Sequence, residues 1–203
     1  MLDKQMRDVK ERVLNPMAQW VGDNISPTEI TIAGAIIGVV AAVFAWQCWY
    51  FAGLILFLIN RVFDGLDGTV ARMFNKQSDF GGYLDIIVDN LIYALIPMGL
   101  ALSTGQPIVY IALLFLLLTF YVNSASWMIL SSILEKRNRG AKDSGEMTTV
   151  TMVDGLMEGT ETIAFFALFF LLPQFMAALF IIMGILVIVT ILQRLYWSYH
   201  TLD

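Results

Sequence analysis

Apolar residues dominate six stretches of the chain, at about 28–46, 49–72, 81–103, 107–134, 156–172 and 175–196. A helix rises ~1.5 Å per residue and the bilayer core is about 30 Å thick, so roughly 20 apolar residues reach across. Each stretch therefore predicts one membrane-spanning helix. The second and third are apolar toward one end only, and their polar ends meet across the 73–80 connection. Pro173, in LLPQF, predicts a tight turn between the fifth and sixth. Ahead of them, residues 1–22 alternate charges with Leu2, Met6, Val9, Val13, Leu14, Met17 and Trp20. This imperfect 3.6-residue stripe fits an amphipathic helix lying on the membrane interface, and equally a helix packed on the bundle. The expected fold is an all-α integral membrane protein forming a single domain over 1–203. It comprises an N-terminal surface helix over 1–22 and a six-helix transmembrane bundle over 28–196.

Composition agrees: 58% of the 203 residues are hydrophobic and 14% charged, outside the range of a soluble globular domain. Cys48 is the only cysteine, which excludes a disulfide framework and a cysteine metal site. His200, the only histidine, makes a Ser–His–Asp or multi-histidine zinc mechanism a poor fit. The charged N-terminus lacks a short apolar core followed by a cleavage site, so it is expected to be mature sequence. All 12 Lys and Arg residues fall on or toward one side of the span map, with Arg61 the deepest. By the positive-inside rule both termini, and the long polar loop over 137–154, are expected to be cytoplasmic. The net charge of −5 says little about partners, and nucleic acid is not expected among them.

Against this background the segment DGLDGTVARMFNKQSDFGGYLDIIVD, residues 64–89, is anomalous. Asp64 and Asp67 are three apart and Asp85 and Asp89 four apart, so each pair lines one helical face. Counted by helix rise from the outer ends of the two spans, Asp64 lies about 22 Å in and Asp89 about 20 Å, with Asp67 and Asp85 at about 27 and 25 Å. Asp64 should thus face Asp89, and Asp67 should face Asp85, near the cytoplasmic side. A charge at the bilayer centre costs roughly 2.5–3.5 kcal/mol, and mutual repulsion adds to it. Hard divalent cations offset both, since carboxylate oxygens suit Mg²⁺ or Mn²⁺. Gly65, Gly68, Gly81 and Gly82 remove side chains beside the acids, which lets a phosphate or a neighbouring helix approach, and Gly34 and Gly38 form a small face on the first span; ordinary helix packing is the alternative reading for any such pair.

The pattern Asp64-x-x-Asp67-Gly68-x-x-Ala71-Arg72, eight residues, then Gly81-x-x-x-Asp85-x-x-x-Asp89 resembles the motif of the CDP-alcohol phosphotransferase (CDP-alcohol phosphatidyltransferase) family at every fixed position. The resemblance implies an enzyme that transfers a phosphoryl-linked group from a CDP-activated lipid donor to a small alcohol acceptor, releasing CMP. It implies a pair of Mg²⁺ or Mn²⁺ ions, with Asp64, Asp67 and Asp85 as ligands. Asp89 would be the general base and would also touch metal. Gly68, Ala71, Arg72 and Gly81 would lie along the CDP moiety, and the assembly would be a homodimer. Pro27-Thr28-Glu29-Ile30-Thr31 keeps the Pro and Thr of the family's Pro-Asn-x-x-Thr, which makes Thr31 a further donor contact. Arg72 has an alternative, snorkelling to the interface. Asp79 is either a loop residue or, with Ser78, a helix cap.

No subfamily fits. LDIIVDN differs from the LDPxADK of glycerophosphate-accepting members and places Asn90 where inositol-type members have Arg, while the fourth span has YVNSASW in place of the serine-type Ala-Arg-Phe-Asn. Two places suit an acceptor. Lys136, Arg137 and Arg139 could hold a phosphorylated or carboxylated one, or anchor on anionic lipid. Glu158 and Glu161 could bind a polyol or a cationic head group, or simply complement a helix dipole. Asn123, Ser124 and Ser126 fit interhelical hydrogen bonds. The leading reading is phosphatidyl transfer from CDP-diacylglycerol to a small polar alcohol. The reverse arrangement pairs CDP-choline or CDP-ethanolamine with diacylglycerol. An ion-coupled transporter is disfavoured, because the acids sit at one depth and no repeat is visible.

Overall fold

The computed structural model describes residues 2–137 and 155–202, with side chains from Arg12 onward and Asp23 excepted. These residues form seven α-helices: α1 (Leu2–Val21), α2 (Pro27–Trp46), α3 (Tyr50–Met73), α4 (Asp79–Thr104), α5 (Pro107–Lys136), α6 (Gly159–Leu171) and α7 (Met176–Leu202). No strand occurs among them. Local chemistry sets the helix starts. Ser26 and Glu29 form a reciprocal capping box around Pro27, the first residue of α2. The Ser78 hydroxyl accepts from the Gly81 N–H to begin α4, so Ser78 alone is the cap and Asp79 is the first helical residue. Gly105, left-handed at φ 64°, ends α4, and Pro107 starts α5. Pro173 opens a single 3₁₀ turn, Pro173–Phe175, between α6 and α7.

A helix stands at each of the six apolar stretches, but they are not alike. Four are long and apolar enough to cross a membrane: α2, α4, α5 and the continuous Pro173–Leu202 stretch containing α7. These mark a membrane protein. α3 has the length but carries Arg61, Asp64, Asp67 and Arg72, and α6 has only 13 residues. The outward faces are apolar, as at Ile36, Phe51, Ile111 and Leu114, which suits lipid and not water.

Inside, α2 meets α3 and α4 through small residues, among them Gly38, Ala41, Ala42 and Ala45. The approach is closest at Gly99 of α4, where a Cβ would lie 2.3 Å from the carbonyl oxygen of Ala42. Only glycine permits that backbone contact. Toward one end of the bundle the core is aromatic. Phe57 stacks on Phe166 at 5.3 Å and Phe169 meets Phe180 edge-on at 4.9 Å, around Ile92, Ile96 and Leu100. At the other end, Leu14, Ala18 and Val21 of α1 pack on Ile30, Leu66 and Val70 of α2 and α3. On α1, Val13, Met17 and Trp20 remain exposed, Trp20 by 89%.

Candidate active site

α3 and α4 run antiparallel, joined by a short turn in which Asn75 takes a left-handed φ of 53°. The turn brings their acidic faces together. Asp64, Asp85 and Asp89 each present a carboxylate oxygen, and the three oxygens lie within 4.8 Å of one another. Oδ1 of Asp85 is buried without a hydrogen-bond partner. Such an atom is costly unless something absent from the protein chain completes it. Asp67 stands outside this trio. It is buried, and the Thr31 hydroxyl donates to its Oδ2 at 2.5 Å. That bond holds one oxygen of the carboxylate in place. Asp67 nonetheless lines the same small cleft with Thr31, Gly34, Asn60, Asp64 and Asp85. An all-oxygen donor set with an unsatisfied atom fits Mg²⁺ or Mn²⁺.

Arg61, assigned no role from sequence beyond its depth, belongs to this site. It is buried, and its Nη1 donates to Asp89 Oδ1 at 2.9 Å and to the Tyr93 hydroxyl at 3.3 Å. The same nitrogen stands 3.9 Å from Asp64 Oδ2. The only advance signal was its position three residues before Asp64, on the same face of α3. Asn60, also missed, supports it: Asn60 Oδ1 accepts from Arg61 Nε and Nη2, and its Nδ2 donates to the Gly34 carbonyl at 2.9 Å. A Cβ on Gly38 would come within 3.1 Å of that amide, so the small face of α2 is where Asn60 seats.

The residues expected along CDP lie at the C-terminal end of α3 and the N-terminal end of α4, beside the turn that joins them. Arg72 is exposed and folds back on its own helix. Its Nη1 comes within 3.2 Å of where a Cβ on Gly68 would be, and its Nη2 is 3.4 Å from Thr69 Oγ1. Ala71 is half-buried. The Gly81 N–H is spent on the Ser78 cap. Gly65 does not clear space for a ligand: a Cβ there would strike Leu14 Cδ1 at 2.8 Å, so it makes room for α1.

Of the acceptor candidates, Lys136, Arg137, Glu158 and Glu161 are not among the residues lining the cleft. Lys136 and Arg137 are exposed at the end of α5, where Arg137 donates to the Leu202 carbonyl. Arg139 lies outside the described residues. Glu158 precedes α6 and accepts from the Gly155 N–H at 3.1 Å, and Glu161 is half-buried in the first turn. Nearby, Ser124 donates to Asn90 at 2.8 Å and the buried Arg194 donates to Asn123 at 2.8 Å. Both bonds join different helices.

Comparison with known proteins adds a family and a fold. A family model described as CDP-alcohol phosphatidyltransferase matches residues 24–193. The chain is 36% identical over 178 residues to Inner membrane protein YnjF of Escherichia coli (strain K12), covering 88% of this chain and 85% of that one. It is 26% identical over 195 residues to the bifunctional IPC transferase and DIPP synthase of Thermococcus kodakarensis, covering 43% of that protein. In three dimensions it resembles phosphatidylinositol phosphate synthase of Mycobacterium tuberculosis with CDP-DAG bound. The TM-score is 0.69 at 22% identity, over 91% of this chain and 92% of that one. The same synthase is known in complex with manganese and citrate, again at a TM-score of 0.69.

Proposed function

We propose a specific reaction for a chain that belongs to the CDP-alcohol phosphatidyltransferase family and is therefore a CDP-alcohol phosphotransferase. It moves a phosphatidyl group from CDP-diacylglycerol to a small polar alcohol and releases CMP. The observation that carries this reading is the convergence of Asp64, Asp85 and Asp89 within 4.8 Å in a helical bundle with four membrane-length apolar helices. The cofactor is a divalent cation, Mg²⁺ or Mn²⁺, with two ions in the full site. When bound, it would offset negative charge on the oxygens of the attacked phosphate and of the departing nucleotide.

The chain's own residues then divide the work. Asp64, Asp67 and Asp85 hold the metal, Asp67 through the oxygen that Thr31 leaves free. Asp89 takes the proton from the acceptor hydroxyl. The freed oxygen bonds to the β-phosphorus of the donor as the bond from that phosphorus to the bridging oxygen breaks, and the electron pair leaves with CMP. Gly68, Ala71, Arg72 and Gly81, with Thr31, flank the CDP moiety. Lys136, Arg137 and Arg139, or Glu158 and Glu161, meet the acceptor. The relatives named for inositol-phosphate chemistry make a phosphorylated polyol the first acceptor to try.

The same reading sets the molecule in its membrane. The whole chain acts as one domain. α3 and α6 complete a six-span bundle, because the apolar outer half of α3 and the Phe-rich α6 pack among the four longer helices. α1 lies at the cytoplasmic interface with Val13, Met17 and Trp20 turned toward lipid. Both termini and the acidic cleft face the cytoplasm, and the enzyme is a homodimer. The test is CMP release by purified protein in Mn²⁺. Release should require CDP-diacylglycerol together with one of inositol phosphate, inositol, glycerol phosphate or serine. Release only with CDP-choline or CDP-ethanolamine and diacylglycerol would reverse the roles of donor and acceptor.

A further inference from the structure

Arg61 stands three residues before Asp64, outside the eight-position motif. An arginine at this depth with no task would extend its stem and send its head group toward the interface. Arg61 instead turns inward and is only 9% exposed. Nε and Nη2 are gripped by Asn60 Oδ1 at 2.9 and 2.7 Å, and Asn60 is tied to the Gly34 carbonyl of α2. The rings of Phe57 and Tyr93 flank the guanidinium, with centroids 5.8 and 5.2 Å from Cζ. Groups from α2, α3 and α4 thus fix the head group in place. The remaining nitrogen, Nη1, faces the acids: 2.9 Å from Asp89 Oδ1 and 3.9 Å from Asp64 Oδ2.

We propose that Arg61 is a positioning residue that holds Asp89 by one oxygen and limits how tightly the carboxylate cluster binds divalent ions. The inference rests on the metal-dependent transfer proposed for this site. A base must offer one oxygen in a fixed direction. With Oδ1 committed to Arg61, Asp89 cannot close both oxygens on an ion, and Oδ2 is the atom left to take the proton. The guanidinium is always charged, so it also opposes any cation drawn to Asp64 and Asp89. Directional grip and charge are separable by substitution. Lysine keeps the charge but loses the planar fork, and glutamine loses both.

The experiment uses the full chain, purified in detergent, with two readouts. Mn²⁺ affinity is measured from the electron paramagnetic resonance of free Mn²⁺, with neither donor nor acceptor present. Turnover is measured as kcat for CMP release. Arg61→Gln should bind Mn²⁺ about tenfold more tightly than the unsubstituted chain, yet turn over about 100-fold more slowly. Arg61→Lys should keep Mn²⁺ affinity within about twofold and still lose about tenfold in kcat. A merely structural arginine would lower both readouts together. Undiminished kcat in Arg61→Gln overturns the proposal, and so does Mn²⁺ affinity that is unchanged or weaker. If Arg61→Gln does not fold, Arg61→Lys decides alone, and an unchanged kcat there is the contrary result. Failure of the unsubstituted chain to bind Mn²⁺ would overturn the metal reading as well, and is seen before any variant is made.

Discussion

Two polar clusters among the described residues, both set in the apolar interior, are built on different principles. Between α4, α5 and α7, Ser124 donates to Asn90 and Arg194 to Asn123. Each pair joins a donor to an acceptor on another helix, the kind of bond that holds helices together in lipid, although Arg194 Nε is itself buried without a hydrogen-bond partner. Between α3 and α4, three carboxylates crowd within 4.8 Å, and one of their oxygens has no partner. Arg61 offsets a single charge there. Buried like charges weaken a fold unless something else binds them. The first cluster is therefore architecture. The second is a ligand site that the fold tolerates.

Four substitutions separate the two. Asp89→Asn should lower CMP release by about 10²–10⁴-fold, the usual worth of a general base, while Mn²⁺ binding is largely kept. Normal turnover in that variant would remove Asp89 from the role. Thr31→Val deletes the bond that orients Asp67, so Mn²⁺ affinity in a direct titration should fall about 10–100-fold, as for other outer-shell partners. Unchanged affinity would place Asp67 outside the metal site. In the other cluster, Asn123→Ala leaves Arg194 short of its acceptor and should cost about 1–3 kcal/mol in reversible unfolding from detergent. Ser124→Ala should cost only about 0.6 kcal/mol by the same measurement, with CMP release intact. A large loss of activity from Ser124→Ala would erase the distinction between the clusters.

The two clusters also differed in how far the sequence exposed them. The acidic faces could be counted in advance, because i, i+3 and i, i+4 spacing on a helix is fixed by its geometry and the depths followed from helix rise. Arg61 could not be assigned, because its partner Asp89 is 28 residues away on another helix and its support comes from its own neighbour Asn60, which no periodicity relates. The same limit explains Gly65. Its spacing beside the acids resembles that of Gly68, but the residue it accommodates is Leu14 of α1, a contact set by tertiary packing. All six apolar stretches were legible as helices. Whether α3 and α6 span was less so, since one carries four charged residues from its middle to its C-terminal end and the other is 13 residues long. The Ser26–Glu29 box and the Ser78 cap follow known cap chemistry, which explains why α2 and α4 start within two residues of the hydropathy boundaries.

The account depends on divalent ions held by the acids of α3 and α4. The most direct test is CMP release from CDP-diacylglycerol by the purified chain, before and after exhaustive chelation and again after Mn²⁺ is restored. Release should stop on chelation and return with the metal. Release that continues undiminished without divalent ions would contradict the account.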